Sequence, residues 1–528
     1  MSFNKSLTNL PKITKLVIIG IVLAGFGTWQ LFFLKTALNI DIPMKVSNIF
    51  SNSILPDGFC KDCNVILISL DTLRAKSLPC YGYEKDTAPN LCNFAKESFL
   101  FTNTYSPSPK TLDSHFSIFT SLYPLSHKMT VPFSSNLSTM ILTITQVLNS
   151  NGYDTLYAGP PTDPNLPLKR GLGRDFDTII GAGDPDAWIK SINSSIAQNK
   201  KFFAFLHTYW VHEPYIPIRE NITKYYSGNV DNYISWDQLC EKTYKKLLIL
   251  HPERFISSMG YNKKQINYCE KIKSYGNAYA YSMSNDEHEQ FYTTQIDSYW
   301  NVFDSIVLNK KKVYMQALYE TRIYELDLEM KKFFNFLENK NLLSNTIVII
   351  TSDHGEEFYE HGNRSHGFNL YNEVTKVPLI IYVPKSKGQM IDKLASSIDI
   401  TPSILHLLNI KVPLQFLGIN LFSKNDNDYI ISQNYNIQKQ SIISKDWKLL
   451  INIDNKDNKK TRELYSQKSD PGEQNNLEEI NNTIADQLEQ RLNTILSKQP
   501  VYEPEKIDTL PTWIDEKQRK KLIETGYF

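Results

Sequence analysis

Short, unbroken apolar runs alternate along most of the chain with longer stretches of helical period. Val65–Leu70 is the first such run, and similar ones recur at Phe202–Leu206, Ile347–Ile350 and Leu379–Val383. Runs of this length are typical of strands buried on both faces. Between them, the clearest helix face is Tyr319, Ile323, Leu326, Met330, Phe333 and Leu337. Its steps alternate between four and three, which keeps the side chains on one side of a helix. Strands alternating with helices predict an α/β fold, a mainly parallel sheet between helix layers. In such sheets the chemistry sits beyond the carboxyl ends of strands. Past about residue 420 the period shortens. Tyr429–Ser432, Gln440–Ser444 and Trp447–Ile453 read as hairpin strands of a smaller C-terminal antiparallel-sheet subdomain, residues 421–500. A helix over Asn481–Leu496 belongs to it, and a tail follows at 501–528.

The beginning of the chain has a different pattern. Leu16–Leu34 runs nineteen residues without a charge. As a helix it would span ~28 Å, close to the ~30 Å hydrocarbon core of a bilayer. Secretion signals have shorter apolar cores of ~7–15 residues. The reading is a cytoplasmic tail (1–15), a transmembrane anchor (16–34) and a linker (35–62). Lys5, Lys12 and Lys15 precede the span, and Lys35 and Lys45 follow it. This slight bias favours a single-pass protein with the main domain, 63–420, on the extracytoplasmic side. Residues 219–312, rich in Tyr, Asn, Lys and Ser, read as an insertion in that domain, placed as a lid.

Composition narrows the classes. Hydrophobic residues make up 41% of 528, enough for a sizeable core and against wholesale disorder. With 57 Lys+Arg against 56 Asp+Glu there is no chain-wide basic field for nucleic acid. Six cysteines are too few for a disulfide-built scaffold. Cys60 and Cys63 form C-x-x-C in a linker with no strand before it, weak ground for a redox role. Cys80 with Cys92, and Cys240 with Cys269, are close enough in sequence to bridge, but connectivity stays open, as do unpaired thiols.

Polar residues stand where buried strands should simply turn. Asp71 ends the first run, in Leu70-Asp71-Thr72-Leu73-Arg74. Asp353 and His354 end the third, in Thr351-Ser352-Asp353-His354-Gly355-Glu356-Glu357. His207 closes Phe202–Leu206, and His212 follows it. Pro109-Lys110-Thr111-Leu112-Asp113-Ser114-His115 opens an apolar helix. Each feature has a bland reading: a strand-end Asp or a first-turn Thr usually caps a helix, and a lone His is usually a satisfied polar group. Adjacent Asp353 and His354 are more unusual, because both can reach one cation. Two carboxylates, an imidazole and a hydroxyl suit a divalent metal.

Together these segments resemble the sulfatase family of the alkaline phosphatase superfamily over roughly residues 62–480. NVILISLDTLRAKSLPCYGY is similar to the family's first strand and metal-binding turn. TLDSHFSIFTSLYP is similar to its nucleophile helix, FLHTYWVHEPYIP to its central His-containing loop, and TIVIITSDHGEEFYEHG to its second metal-binding turn. HGFNLYNEVTKVPLIIYVP, SSIDITPSILHLLNI and ELYSQKSDPGEQNNL follow as its later signatures, in the usual order. The resemblance implies an alkaline-phosphatase-like sheet and one divalent metal held by Asp71, Asp353, His354 and the hydroxyl of Thr111. The donor set favours Zn or Mn, with Ca or Mg as alternatives. Thr111 takes the nucleophile position. His115 stands where sulfatases commonly carry Arg. His212 and His366 match positions that contact the transferred or leaving group, and His207 is a secondary candidate. Glu360 and His361 belong to the motif without an assigned role, a structural one being at least as fitting.

There are also departures. Sulfatases oxidise a Cys or Ser to formylglycine, and Thr111 cannot give that aldehyde because its Cβ carries a methyl. A Thr nucleophile resembles the family's phosphoethanolamine and phosphoglycerol transferases. Asp113 stands where Pro is usual and Lys110 where Trp is frequent, and Asp113 places negative charge near an anion site. The reading is a membrane-anchored, metal-dependent enzyme that cleaves or transfers a phosphate-ester group through a covalent Thr111 intermediate, on a lipid or glycan. A sulfuric ester hydrolase is the first alternative and a catalytically silent binding protein the second.

Overall fold

The computed structural model describes residues 54–506 apart from 131–134, 160–167, 229, 231–232, 251–297, 304–305, 435–438 and 454–458. Contacts divide the described residues into a large unit, within 57–421 and 425–506, and a small one of 54–56 with 422–424.

In the large unit, eight strands make one sheet: β1 (Asn64–Leu70), β2 (Phe99–Tyr105), β3 (Asp154–Ala158), β4 (Thr178–Ile180), β5 (Phe202–Thr208), β6 (Thr346–Thr351), β7 (Lys376–Tyr382) and β8 (Gln389–Ser396). Their order is β8-β2-β7-β6-β1-β5-β3-β4. β1 lies in parallel register between β5 and β6, pairing Leu70 with Thr208 and Ser69 with Thr351. β7, the strand expected over Leu379–Val383, runs antiparallel to both neighbours, so the sheet is mixed rather than wholly parallel. The central strands are buried along their length, as unbroken apolar runs require.

Helices cover both faces. On one, α1 (Pro89–Lys96), α3 (Pro185–Ile196) and α5 (Leu308–Asn339) share a core with Ile66, Ile68, Ala204 and Leu206. The six positions read as a helix face on α5 are all buried. α2 (Thr111–Thr120) lies on the other face. There Phe205, between Ala204 and Leu206 and so pointing the opposite way, meets Phe119 with ring centroids 4.8 Å apart. α4 (Trp236–Leu250) falls within the expected insertion, whose residues 251–297 lie outside the described ones. α6 (Ile400–Leu407) packs beside α2.

A separate antiparallel meander follows: β9 (Ile430–Asn434), β10 (Lys439–Ile443), β11 (Trp447–Ile453) and β12 (Lys460–Ser466). α7 (Asn482–Leu496) covers it, burying Ala485, Leu488 and Leu492 against Ile431, Ile442 and Leu449. The sequence pattern does not reveal β12, because its KTRELYS is rich in polar residues and its first two positions are exposed. Cys60 bonds Cys63, and Cys80 bonds Cys92. Cys240 is also disulfide-bonded, and Cys269, its expected partner, lies outside the described residues.

The expected membrane localisation is corrected. Among the described residues no helix is long and apolar enough to cross a membrane. The longest, α5, carries Lys and Glu along its length, which a bilayer core would penalise. Residues 16–34, on which the single-pass reading rested, lie outside the described residues.

Two motif residues without an assigned role brace the turn after β6. Glu360 forms a 2.7 Å ion pair with buried Arg74, and also accepts the Phe358 N–H. His361 Nδ1 lies 3.3 Å from a Glu373 carboxylate oxygen, and its ring stacks on Tyr371 with centroids 3.6 Å apart. Burial opposes charge on His361, but Glu373 and the Glu473 carbonyl more than offset it, raising the pKa to about 9 from 6.5. A folded-state pKa above the unfolded one means that the stabilisation is complete below about pH 6.5 and fades as pH rises through 9. A His361→Gln protein should therefore be about 2 kcal/mol less stable at pH 6. Melting curves from pH 6 to 10 should show this deficit vanishing at the alkaline end.

Candidate active site

Three neighbouring strands end together and carry polar residues there. Asp71 follows β1, His207 lies near the end of β5, and Asp353 and His354 follow β6. The turn after β6 closes tightly. A Cβ on Gly355 would stand 2.1 Å from the Glu373 carbonyl oxygen. The Gly355 and Glu356 N–H groups donate to the Val374 and Glu373 carbonyls at 2.7 and 3.0 Å. Only glycine fits such a close backbone approach, and it fixes the direction of the Asp353–His354 pair.

α2 brings its first residue to this point. Lys110 is the N-cap residue and makes no side-chain cap, so the first turn is held by neither Lys110 nor the Thr111 hydroxyl. Thr111 Oγ1 instead lies 3.1 Å from His354 Nε2 and 3.4 Å from Asp71 Oδ2. Ligand atoms of Asp71, Asp353 and His354 all lie within 4.8 Å of one another, and all three residues are buried. The bland reading of Thr111 as a cap is thus set aside. The four residues, separated by nearly the whole domain, meet here.

This donor set fits a cation. Asp353 Oδ2 is buried and accepts no hydrogen bond, an arrangement that costs free energy unless a positive charge is near. Burial pushes the His354 imidazole down to about 4, leaving it neutral at pH 7, as a metal ligand must be. Asp353 is held below the usual carboxylate range, the imidazoles of His354 and its neighbours outweighing the opposing effect of burial. His354 Nδ1 lies 2.9 Å from the Gly355 carbonyl, which leaves Nε2 to face the site.

The remaining histidines fall into two groups. His207 and His115 are behind the carboxylates. His207 Nε2 is 3.2 Å from Asp71 Oδ2. His115 has both ring nitrogens engaged, with the Thr111 carbonyl at 2.8 Å and Ser69 Oγ at 2.9 Å, and stands 3.7 Å from Asp353 Oδ2. These contacts orient the carboxylates and the start of α2. His366 and His212 lie on the other side. The His366 ring centroid is 4.4 Å from that of His354 and 5.0 Å from that of His212. Burial depresses both, His212 to about 4.

Glu356 and Glu213 had no role in the reading of the sequence. Glu356 lies 3.0 Å from His366 Nδ1 and accepts the Tyr215 hydroxyl at 2.7 Å. Glu213 accepts Ser365 Oγ at 2.7 Å and Trp300 Nε1 at 2.8 Å. Their signal in the sequence was adjacency: Glu356 lies two positions beyond His354, and Glu213 follows His212. Asp113, expected to disturb an anion site, is buried and accepts the Ser108 hydroxyl at 3.2 Å. Burial pushes its pKa up to about 7 against the opposing charge of Lys110.

A family model described as Sulfatase matches residues 63–410, more than half of the chain. The chain belongs to the sulfatase family. A second model, the C-terminal part of N-sulphoglucosamine sulphohydrolase, matches residues 360–499. Among relatives, the chain is 22% identical to the uncharacterized sulfatase YidJ of Escherichia coli over 85% of this chain and 92% of that one. It is 24% identical to an N-acetylgalactosamine-6-O-sulfatase of Bacteroides thetaiotaomicron, over 82% and 93%. A solved protein in complex with D-glucosamine-2-N,6-O-disulfate superposes with a TM-score of 0.62 at 18% identity, covering 84% of this sulfatase-family chain and 99% of the other. A phosphonate monoester hydrolase of Agrobacterium radiobacter superposes at 0.57 and 16%, over 83% and 96%. These superpositions establish the shared fold, an α/β sheet with a small antiparallel sheet beside it.

Proposed function

We propose that this chain hydrolyses a sulfate ester carried by a carbohydrate, through a covalent intermediate on Thr111. The observation that carries the reading is the meeting of Thr111 Oγ1 with Asp71 and His354, beside Asp353, at the strand ends. Support for sulfate over phosphate comes from the family and from relatives named for sulfated amino sugars.

Asp71, Asp353, His354 and the Thr111 hydroxyl would hold one divalent cation, with Zn or Mn favoured by the donor set. Such an ion supplies Lewis-acid polarisation and makes a neighbouring hydroxyl more acidic. As Thr111 Oγ1 attacks sulfur, the bond from sulfur to the sugar oxygen breaks, and the proton that leaves Thr111 reaches the sugar oxygen by way of His366, which Glu356 orients, or His212, both neutral at rest. Water then attacks sulfur, one of its protons returns to Thr111, the other goes to solvent, and sulfate leaves. The start of α2 adds partial positive charge where the anion sits. Purified protein should hold a divalent metal, and Asp353→Asn should bind it about 100-fold more weakly or worse, without a lower melting temperature in the metal-free state. Undiminished metal in that variant removes Asp353 from the site.

Thr111 itself favours a second reading, cleavage of a phosphate or phosphonate ester, because threonine cannot become formylglycine. Transfer to a lipid or glycan acceptor has no support from the relatives named above. Assays on aryl sulfate, N-acetylgalactosamine 6-O-sulfate, aryl phosphonate and phosphodiester separate the readings. Sulfate release supports the first, phosphonate or phosphodiester cleavage alone supports the second, and absence of all turnover supports the silent binding protein.

A further inference from the structure

Lys110 immediately precedes the nucleophile and is unlike the other cations near the site. Its ammonium Nζ is buried and has no hydrogen-bond partner among the described residues. Burying an ammonium without hydrogen bonds is costly, and the Asp113 carboxylate attracts it without bonding to it. Asp113, one turn along α2, is engaged by the Ser108 hydroxyl. The stem of Lys110 runs beside Gly367: a Cβ there would lie 3.6 Å from Lys110 Cε and 3.7 Å from Cγ. Gly367 has φ +88, which disfavours any side chain, so the surface beside the lysine stem there is bare backbone. The lysine thus reaches along the residue next to His366. Thr111, His366 and the unpartnered cation are thus near neighbours, linked through His354 and Gly367.

We infer that Lys110 is an anion-binding catalytic residue: its ammonium donates to a non-bridging oxygen of the ester's charged sulfuryl or phosphoryl group, opposite the carboxylate-lined metal side. This rests on the reading of the site as one that cleaves an anionic ester, and adds the residue that grips the anion. The same contact accounts for Asp113 at an anion site. One buried cation beside one carboxylate leaves the rim without net negative charge, so an anion can enter. The charge that Lys110 places there increases in value as charge develops on the transferred oxygens.

Anion binding tests this directly. Inorganic sulfate and inorganic phosphate are titrated calorimetrically into metal-loaded wild type, Lys110→Met and Lys110→Arg. Lys110→Gln, also uncharged, replaces the Met variant if that does not fold. The neutral variants should bind the preferred anion about 10- to 100-fold more weakly, with metal content unchanged. Lys110→Arg should recover part of the affinity. Wild-type affinity in a neutral variant overturns the assignment of Lys110 while leaving the reading of the site intact. Failure of the wild type to bind either anion overturns both.

Discussion

A Thr111→Ala protein should lose about four orders of magnitude or more in turnover on whichever ester the wild type cleaves, while its melting temperature stays within a few degrees. The expected loss is large because the hydroxyl is the attacking group. Alanine forfeits only the contacts of the hydroxyl with Asp71 and His354, both within the site, and α2 begins without a cap from it. Losing a β-branched residue from a first helical turn costs little. Comparing kcat with the binding of inorganic sulfate separates chemistry from binding. A variant that binds sulfate normally and turns over nothing supports the nucleophile role. A variant with wild-type kcat removes Thr111 from the mechanism, and with it the covalent route.

Gly355→Ala should be the most damaging small substitution for stability. The new methyl would stand 2.1 Å from the Glu373 carbonyl oxygen, and its next contacts are the Glu373 carbonyl carbon at 3.1 Å and Arg74 Cγ at 3.3 Å. The first is backbone, held by the hydrogen bond from the Glu356 N–H across the turn, and Arg74 is fixed by its ion pair with Glu360. None of them can swing aside as a surface side chain would. Overpacking of this kind costs about 3 kcal/mol or more. Because His354 is the preceding residue, metal affinity should fall together with the melting temperature. A Gly355→Ala protein as stable as wild type would show that the turn is looser than these contacts require, and the ligand geometry with it.

Much of the fold could be read from the chain because its central strands are buried on both faces. Burial on both faces leaves nothing but apolar residues, and the runs beginning at Val65, Phe202 and Ile347 stand out accordingly. The outlying strands hid for the opposite reason. β4 has only three residues, none of them fully buried, and β8 mixes exposed and buried positions around Asp392 and Lys393. The antiparallel course of β7 could not be read either, since a buried strand has the same composition in both directions. For the candidate site, the residues were legible because Asp353 and His354 stand side by side at a strand end and the motifs fall in the family's order, although a strand-end Asp alone usually caps a helix. Glu356, Glu213 and Lys110 were not, since their meaning lies in contacts made across the fold. Glu356 looks like any charged turn residue until His366, ten positions on, folds back upon it.

The central claim is that the hydroxyl of Thr111 forms the bond to the transferred group. Mass spectrometry of the peptide containing Thr111, after rapid acid quench of the metal-loaded protein with excess substrate, tests it most directly. The predicted result is an added sulfuryl group, or a phosphoryl group under the second reading, localised to Thr111 and absent from the Thr111→Ala protein. Active turnover with an unmodified Thr111, or with the group on another side chain, would contradict it.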